Sequence, residues 1–149
     1  MGTRYPGRQN EIRALNAYIK LMRAADSVGK RLEKHLAKFD LTENQFGILE
    51  ILLHLGPVIQ KELSEKLFTS GGNVTQILDQ LEKKELVKRI RDSQDRRHVK
   101  VHLTEKGEEL IRTIFPEHLE AMMKEFSVLT SEEQEELGRL CKKIGLHLR

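Results

Sequence analysis

The chain is expected to be mainly α with one small β-hairpin set between helical ends. Three observations predict this. Apolar residues recur at 3–4 spacing along most of the 149 residues. One segment, Val99 to Thr104, alternates strictly between apolar and polar side chains. A block of positive charge flanks that segment: residues 83–100 hold eight Lys/Arg against three acids, a net of +5 in a chain whose total is only +3.

The elements can be taken in chain order. Ile12, Leu15, Ile19, Met22, Leu32 and Leu36 predict one long helix over 11–38, uninterrupted by proline. A small core cannot cover its whole length, so its stripe is expected to seek a partner helix. Thr42, with Gln45 three residues on, forms a capping box for a helix through Phe46, Leu49, Ile51, Leu52 and Leu53 that stops at Gly56-Pro57. Leu63 and Leu67 lie one turn apart on a short helix. Val74, Ile77, Leu78 and Leu81 then follow i, i+3, i+4, i+7, a buried stripe on a longer one. The opposite face holds Gly72, Thr75, Gln76, Asp79 and Lys83, with Asn73 and Gln80 at its edge. Asp79 is expected to pair with Lys83 at i, i+4.

Val99, Val101 and Leu103 define a half-buried strand whose partner is predicted in Leu86–Arg91, joined through residues 92–97. Thr104 should cap a helix carrying Leu110, Ile111, Ile114 and Phe115, which Pro116 is expected to disturb before Leu119, Met122, Met123 and Phe126 continue its face. Thr130 and Glu133 form a second capping box, opening a last helix through Leu137, Leu140, Cys141 and Ile144. The predicted order is α-α-α-α-β-β-α-α.

Residues 60–104 therefore read as short helix, turn, longer helix and basic hairpin, the outline of a winged helix-turn-helix, which sets one helix in the DNA major groove. The helix-turn-helix spans about 60–83 and the wing about 86–103, within a lobe over 42–103. Asn73 and Gln76 amides can read adenine edges, and the Gly71-Gly72 backbone can approach phosphate closely. Several classes are disfavoured. With 33% charged residues and no long apolar run, no membrane span is expected, and the N-terminal residues lack the apolar stretch of a signal peptide, so a cytoplasmic protein is expected. One cysteine excludes an intramolecular disulfide framework and any CxxC site. Absent Trp argues against single-strand binding on aromatic platforms. No nucleophile elbow, P-loop or paired acid–base motif is present, so neither enzyme activity nor a cofactor is expected.

These residues resemble the MarR family of bacterial transcription regulators over roughly 11–147. The resemblance is carried by Ser70-Gly71-Gly72-Asn73-Val74-Thr75, by Leu81-Glu82-x-x-x-Leu86-Val87-x-Arg89, by Asp95-Arg96-Arg97, and by the helix starts Leu103-Thr104-x-x-Gly107 and Leu129-Thr130-x-Glu132-Glu133. It implies a single domain over 1–149, an obligate homodimer joined by the helices in 11–38 and 104–147, and two winged lobes on a palindromic duplex. It also implies a repressor released by a small ligand, an oxidant or a metal. The DNA-contacting positions it points to are Ser70, Gly71, Gly72, Asn73, Thr75, Gln76, Arg96 and Arg97, with one wing arginine in the minor groove and Asp95 holding its neighbour by an ion pair. Guanidinium suits that groove because it is cheaper to desolvate than ammonium.

The trigger is less defined. Ile114-Phe115-Pro116-Glu117-His118 resembles members that respond to quinones and phenolic compounds. A pocket between the dimerisation helices and the lobe would draw on Tyr18, Met22, His35, Phe46 and Phe115. The peroxide-sensing branch uses a reactive cysteine in the first helix, and 11–38 contains none. Cys141, beside Leu140 and Ile144, reads as a buried small hydrophobe. No acidic cluster near His35 or His118 is evident in the sequence, which disfavours metal sensing. A winged helix used as a protein-interaction or architectural module, without an operator of its own, is the alternative class, but an interaction-only module would not need both the basic wing and the amide-rich face.

Overall fold

A computed structural model describes residues 2–67 and 71–146. Its elements are α1 (Gln9–Ala37), α2 (Glu43–Leu55), β1 (Val58–Ile59), α3 (Gln60–Lys66), α4 (Gly71–Lys83), β2 (Val87–Arg91), β3 (Val99–Leu103), α5 (Glu105–Phe126) and α6 (Ser131–Leu146). Both expected capping boxes form. Thr42 Oγ1 accepts from the Gln45 amide at 3.1 Å while Gln45 Oε1 accepts from the Thr42 amide at 3.2 Å. Glu133 and Thr130 make the same reciprocal pair ahead of α6. α2 ends at Gly56, whose φ of 76° few residues other than glycine adopt cheaply.

Two expectations about the elements need correction. The sheet has three antiparallel strands rather than two, in the order β1-β3-β2, with Val58 opposite Val101 and Arg89 opposite Val101 on the other side. β1 is only two residues long, too short to show alternation. Pro116 does not break its helix either: α5 runs continuously from 105 to 126. Proline forfeits one helical hydrogen bond, but Ile111, Ile114 and His118 are buried on both sides of it and hold the path.

One core ties the lobe to its arms. Leu49, Leu63, Val74, Leu78, Leu81 and Val101 from the lobe pack in the same cluster as Leu36 of α1 and Ile111 and Ile114 of α5. α6 lies outside it, with Leu137, Leu140 and Ile144 exposed. Its apolar side faces α1 across a groove of about 530 Å³ lined by Ala17, Tyr18, Leu21, Leu140, Cys141 and Ile144 among others. Cys141 is thus exposed in that groove, not buried as expected. Among the described residues no helix is long and apolar enough to cross a membrane.

The lobe is seated on α5 by backbone contacts. β3 passes into α5 through Thr104, whose hydroxyl accepts from the Gly107 amide at 3.0 Å and donates to the Glu85 carbonyl at 2.6 Å. A Cβ at 107 would lie 2.0 Å from the Leu86 carbonyl oxygen, a backbone atom that cannot turn aside. Replacing Gly107 by Ala is expected to cost about 1–3 kcal/mol, as overpacking does. Urea unfolding measures this, and an unchanged midpoint would show that the contact relaxes freely.

Candidate nucleic-acid interface

α4 carries its stripe inward as expected: Val74, Leu78 and Leu81 are fully buried and Ile77 nearly so. Asn73, Thr75, Gln76, Asp79 and Gln80 are exposed on the other side. Gly71 and Gly72 open the helix. Ser70 lies outside the described residues.

Side chains from neighbouring helices orient this face. Gln60 of α3 donates from Nε2 to Thr75 Oγ1 at 2.7 Å. Gln45 of α2 is buried, and its carbonyl oxygen must be the atom that accepts from the Thr42 amide and from Lys84 Nζ at 3.2 Å. Its Nε2 is then the donor to Gln80 Oε1 at 3.0 Å. With its oxygen engaged inward, Gln80 presents its NH₂ as a donor, suited to phosphate oxygens or to base acceptors. Thr42, Asn44, Asn73, Gln76 and Gln80 together line a shallow cleft of about 330 Å³. The sequence offers Gln45 only as a capping residue and gives Asn44 and Lys84 no part in this face, because only the packing of α2 against α4 brings them to it.

The acid on this helix is partnered differently than expected. Asp79 pairs with Arg89 of β2, not with Lys83, and Arg89 Nε also reaches Glu82 Oε1 at 2.5 Å. One guanidinium thereby spans two successive turns of α4 and fixes them to the wing. Hydrogen bonding to Glu82, with a further contribution from Asp79, strengthens the hold of Arg89 on its proton. Lys83 cannot compete, since a forked donor meets two carboxylates better than a single ammonium does.

The wing tip is built from aspartates. Asp92 Oδ1 accepts from the Gln94 amide and Asp95 Oδ1 from the Arg97 amide, both at 3.1 Å, so each side chain closes its own turn. The Arg97 guanidinium meets both Asp95 oxygens, at 3.0 and 2.9 Å. That side-chain fork, followed by the Arg97 backbone N–H, holds the Asp95 carboxyl below its ordinary range. The Arg97 side chain is still 88% exposed. Arg96 is exposed and has no ion pair among the described residues, while its carbonyl accepts from Arg91 at 2.8 Å. A groove of about 470 Å³ runs between Gln60, Lys61 and Ser64 of α3 and Arg97 and His98 of the wing. Outward amides, a helix-spanning clamp and a presented basic tip form one continuous face, suited to a polyanion whose base edges carry donors and acceptors.

The model of the MarR family matches residues 41–99, which covers the lobe from the start of α2 to the wing. The HTH-type transcriptional regulator MhqR of Bacillus subtilis is 34% identical over 92% of this chain and 94% of its own. The chain belongs to the MarR family. It is a transcriptional regulator with a DNA-binding winged-helix fold, and not an enzyme. AbsC, a MarR family regulator from Streptomyces coelicolor, superposes with a TM-score of 0.85 at 27% identity, covering 99% of both chains. Sco3205 from the same organism, solved in complex with DNA, shares the fold at a TM-score of 0.86 and 22% identity, over 99% of this chain and 94% of its own.

The five side chains expected to line an effector pocket do not come together. His35, Phe46 and Phe115 gather around His118: Phe46 and Phe115 are parallel with centroids 6.4 Å apart, and Phe46 meets the His118 ring at 4.4 Å. Tyr18 lines the α1–α6 groove instead, and Met22 is exposed. The reason is length, since seventeen residues of helix put Tyr18 about 25 Å from His35. Glu117 lies 3.4 Å from His35 and Glu43 3.8 Å from His118, yet no group of three or more His, Cys, Asp and Glu placed to hold a metal ion forms among the described residues.

The clamp can be tested apart from any ligand. Arg89→Ala should destabilise the fold by on the order of 1 kcal/mol, the range for partly exposed ion pairs, and Arg89→Lys should recover only part of it. Urea unfolding of both variants, with the wild type at low and high salt, gives the comparison. Equal stability of the three proteins would remove the clamp.

Proposed function

We propose that two copies of this MarR family chain, each a single domain over 1–149, bind a palindromic duplex operator and repress transcription until a small organic ligand releases them. The observation that carries this reading is the oriented face itself, with Gln76 and Asn73 presented outward on a helix that Arg89 clamps to a basic wing. Ser70, Gly71, Gly72, Asn73, Thr75 and Gln76 enter the major groove, and Arg96 and Arg97 reach the flanking backbone or minor groove. Asp95 orients Arg97 for that contact.

Pairing of two copies is supported by the apolar faces left open. Tyr18 is 62% exposed and Ile144 58% exposed on the two sides of the α1–α6 groove, an apolar face of the kind that marks an interaction site. The aromatic side chains of His35, Phe46 and Phe115 suit a planar phenolic or quinone-like effector, which would enter by parting α2 from α5. Tyr18 and Met22 are too distant to share in that pocket.

The chain should sediment as a dimer at micromolar concentration; a stable folded monomer of about 17.3 kDa would overturn the assembly. Duplexes selected from a random pool test the DNA reading directly. Asn73→Ala or Gln76→Ala should lose ~1–3 kcal/mol of discrimination between selected and random duplex for each base contact removed. Arg96→Ala with Arg97→Ala should weaken binding to both and flatten its salt dependence by roughly 0.9 in slope for each phosphate no longer neutralised. Asp95→Ala separates orientation from charge, because it makes the wing more positive yet should weaken binding to the selected duplex. Tighter binding by that variant would remove the orienting role.

A further inference from the structure

Where α1, α2 and α5 meet, the interior holds an arrangement that DNA binding does not explain. His118 of α5 is fully buried, and its Nδ1 lies 3.0 Å from Nδ1 of His35 on α1. The outer nitrogens point away to carboxylates on opposite sides. His35 Nε2 is 3.4 Å from Glu117 of α5, and His118 Nε2 is 3.8 Å from Glu43 in the first turn of α2. His35 Nε2, His118 Nε2 and Glu43 Oε1 are buried without a hydrogen-bond partner. The remaining charged groups nearby are Glu33 of α1, which acts on Glu43, and the Arg31–Glu125 pair, which ties α1 to α5 at 2.6 Å. Phe39, Phe46 and Phe115 complete the surroundings.

Proton counting sets what this arrangement can hold. Two nitrogens at 3.0 Å share one hydrogen between them and no more. A neutral pair carries two N–H groups: one occupies the shared position and one faces a carboxylate, which leaves the other outer nitrogen presenting a lone pair to an acid. One added proton, held on that nitrogen, satisfies both outer contacts. A second added proton puts two N–H groups face to face and two positive charges side by side, and the contact cannot survive it.

We propose that the His35–His118 pair is a proton-operated lock joining α1 and α5 to α2, closed by one proton and opened by a second, so that acidification loosens the DNA-reading lobe. The consequence for DNA rests on the function proposed above. The route is short. Glu43 stands two residues before Gln45, which holds Gln80 on the recognition helix. Freeing the first turn of α2 from α5 therefore slackens both the seat of the lobe and the orientation of Gln80. Burial first, and then the neighbouring His35, keep the His118 ring below the ordinary imidazole value of 6.5. The folded chain thus binds that proton less readily than the unfolded one. The resulting stability is fully present above 6.5 and is lost as pH falls toward the depressed value.

Two measurements on the full chain test the lock. Ring C–H resonances followed by NMR should show His118 titrating below 6.5, and amides in 35–46 and 111–122 should shift with that step. A His118 ring titrating at the ordinary value, with α2 amides unmoved, would overturn it. The second measurement is affinity for a duplex selected from a random pool, at pH 7.5 and 5.5 and fixed salt. A linked proton changes affinity by up to about tenfold per pH unit, so the wild type should lose on the order of tenfold. Acid also makes a chain more positive, which by itself tightens phosphate binding, so a loss runs against the general electrostatic trend. His35→Gln, which keeps a side-chain hydrogen bond without titrating, should retain its affinity at pH 5.5, and His118→Phe gives a second variant should the first fold poorly. The same pH response in wild type and variants would remove the lock. Absence of duplex binding at pH 7.5 would overturn the DNA reading alone, and the ring titration would then decide the lock by itself.

Discussion

The carbonyl oxygen of Leu86 occupies the space that a side chain at 107 would need, and the geometry of the molecule depends on that contact. The same carbonyl accepts from the Thr104 amide, and the Leu86 amide donates back to Leu81 at the end of α4. Lys106 Nζ reaches the Lys84 carbonyl beside them. The end of the recognition helix, the base of the wing and the start of α5 are therefore joined largely through backbone atoms. Side chains can be exchanged around such a junction with little effect on its angles, because the positions are fixed by atoms that every residue carries. It is consistent with a chain that superposes with a TM-score of 0.85 on a structure of 27% identity.

What the sequence made legible was whatever repeats or caps locally. The stripe from Val74 to Leu81, the alternation from Val99 to Leu103 and the boxes at Thr42 and Thr130 each declare themselves within one or two turns, and each stands in the structure. What escaped was set by distance along the chain. Lys83 is the partner that a rule confined to one helix offers Asp79, whereas Arg89 arrives from a strand. His35 and His118 are 83 residues apart and meet only because α1 and α5 pack side by side. The proposed DNA contacts at Asn73 and Gln76 come from amides on an outward helix face, and those at Arg96 and Arg97 from a basic hairpin and the resemblance; the structure supplies a face on which these four make chemical sense. The effector residues fared differently, because a set drawn from several helices carries no information on how far apart they lie.

Charge shows the same division between where and how much. The excess of positive residues in 83–100 correctly marked the wing, yet several of those cations are already engaged. Arg89 is held by Asp79 and Glu82, Arg97 by Asp95, Lys84 by Asp40, and Lys100 lies 3.8 Å from Asp92. The field presented to a polyanion is consequently smaller and more localised than the sum suggests. Selectivity then depends less on total charge than on the fixed directions of a few donors, since a guanidinium held by a carboxylate keeps its direction at little entropic cost.

The Arg89 clamp has a further mechanical meaning. Together with the backbone junction at Leu86, it ties helix and hairpin into one jaw. In a pair of such jaws all adjustment would lie in the arms, α1 and α5, as in a caliper whose tips are rigid and whose beam is not. Adding a residue to a helical arm shifts everything beyond the insertion by about 1.5 Å and turns it by about 100°. Evolution could thus retune the distance and phase between two half-sites by editing the arms, while the bases read within each half-site stayed the same.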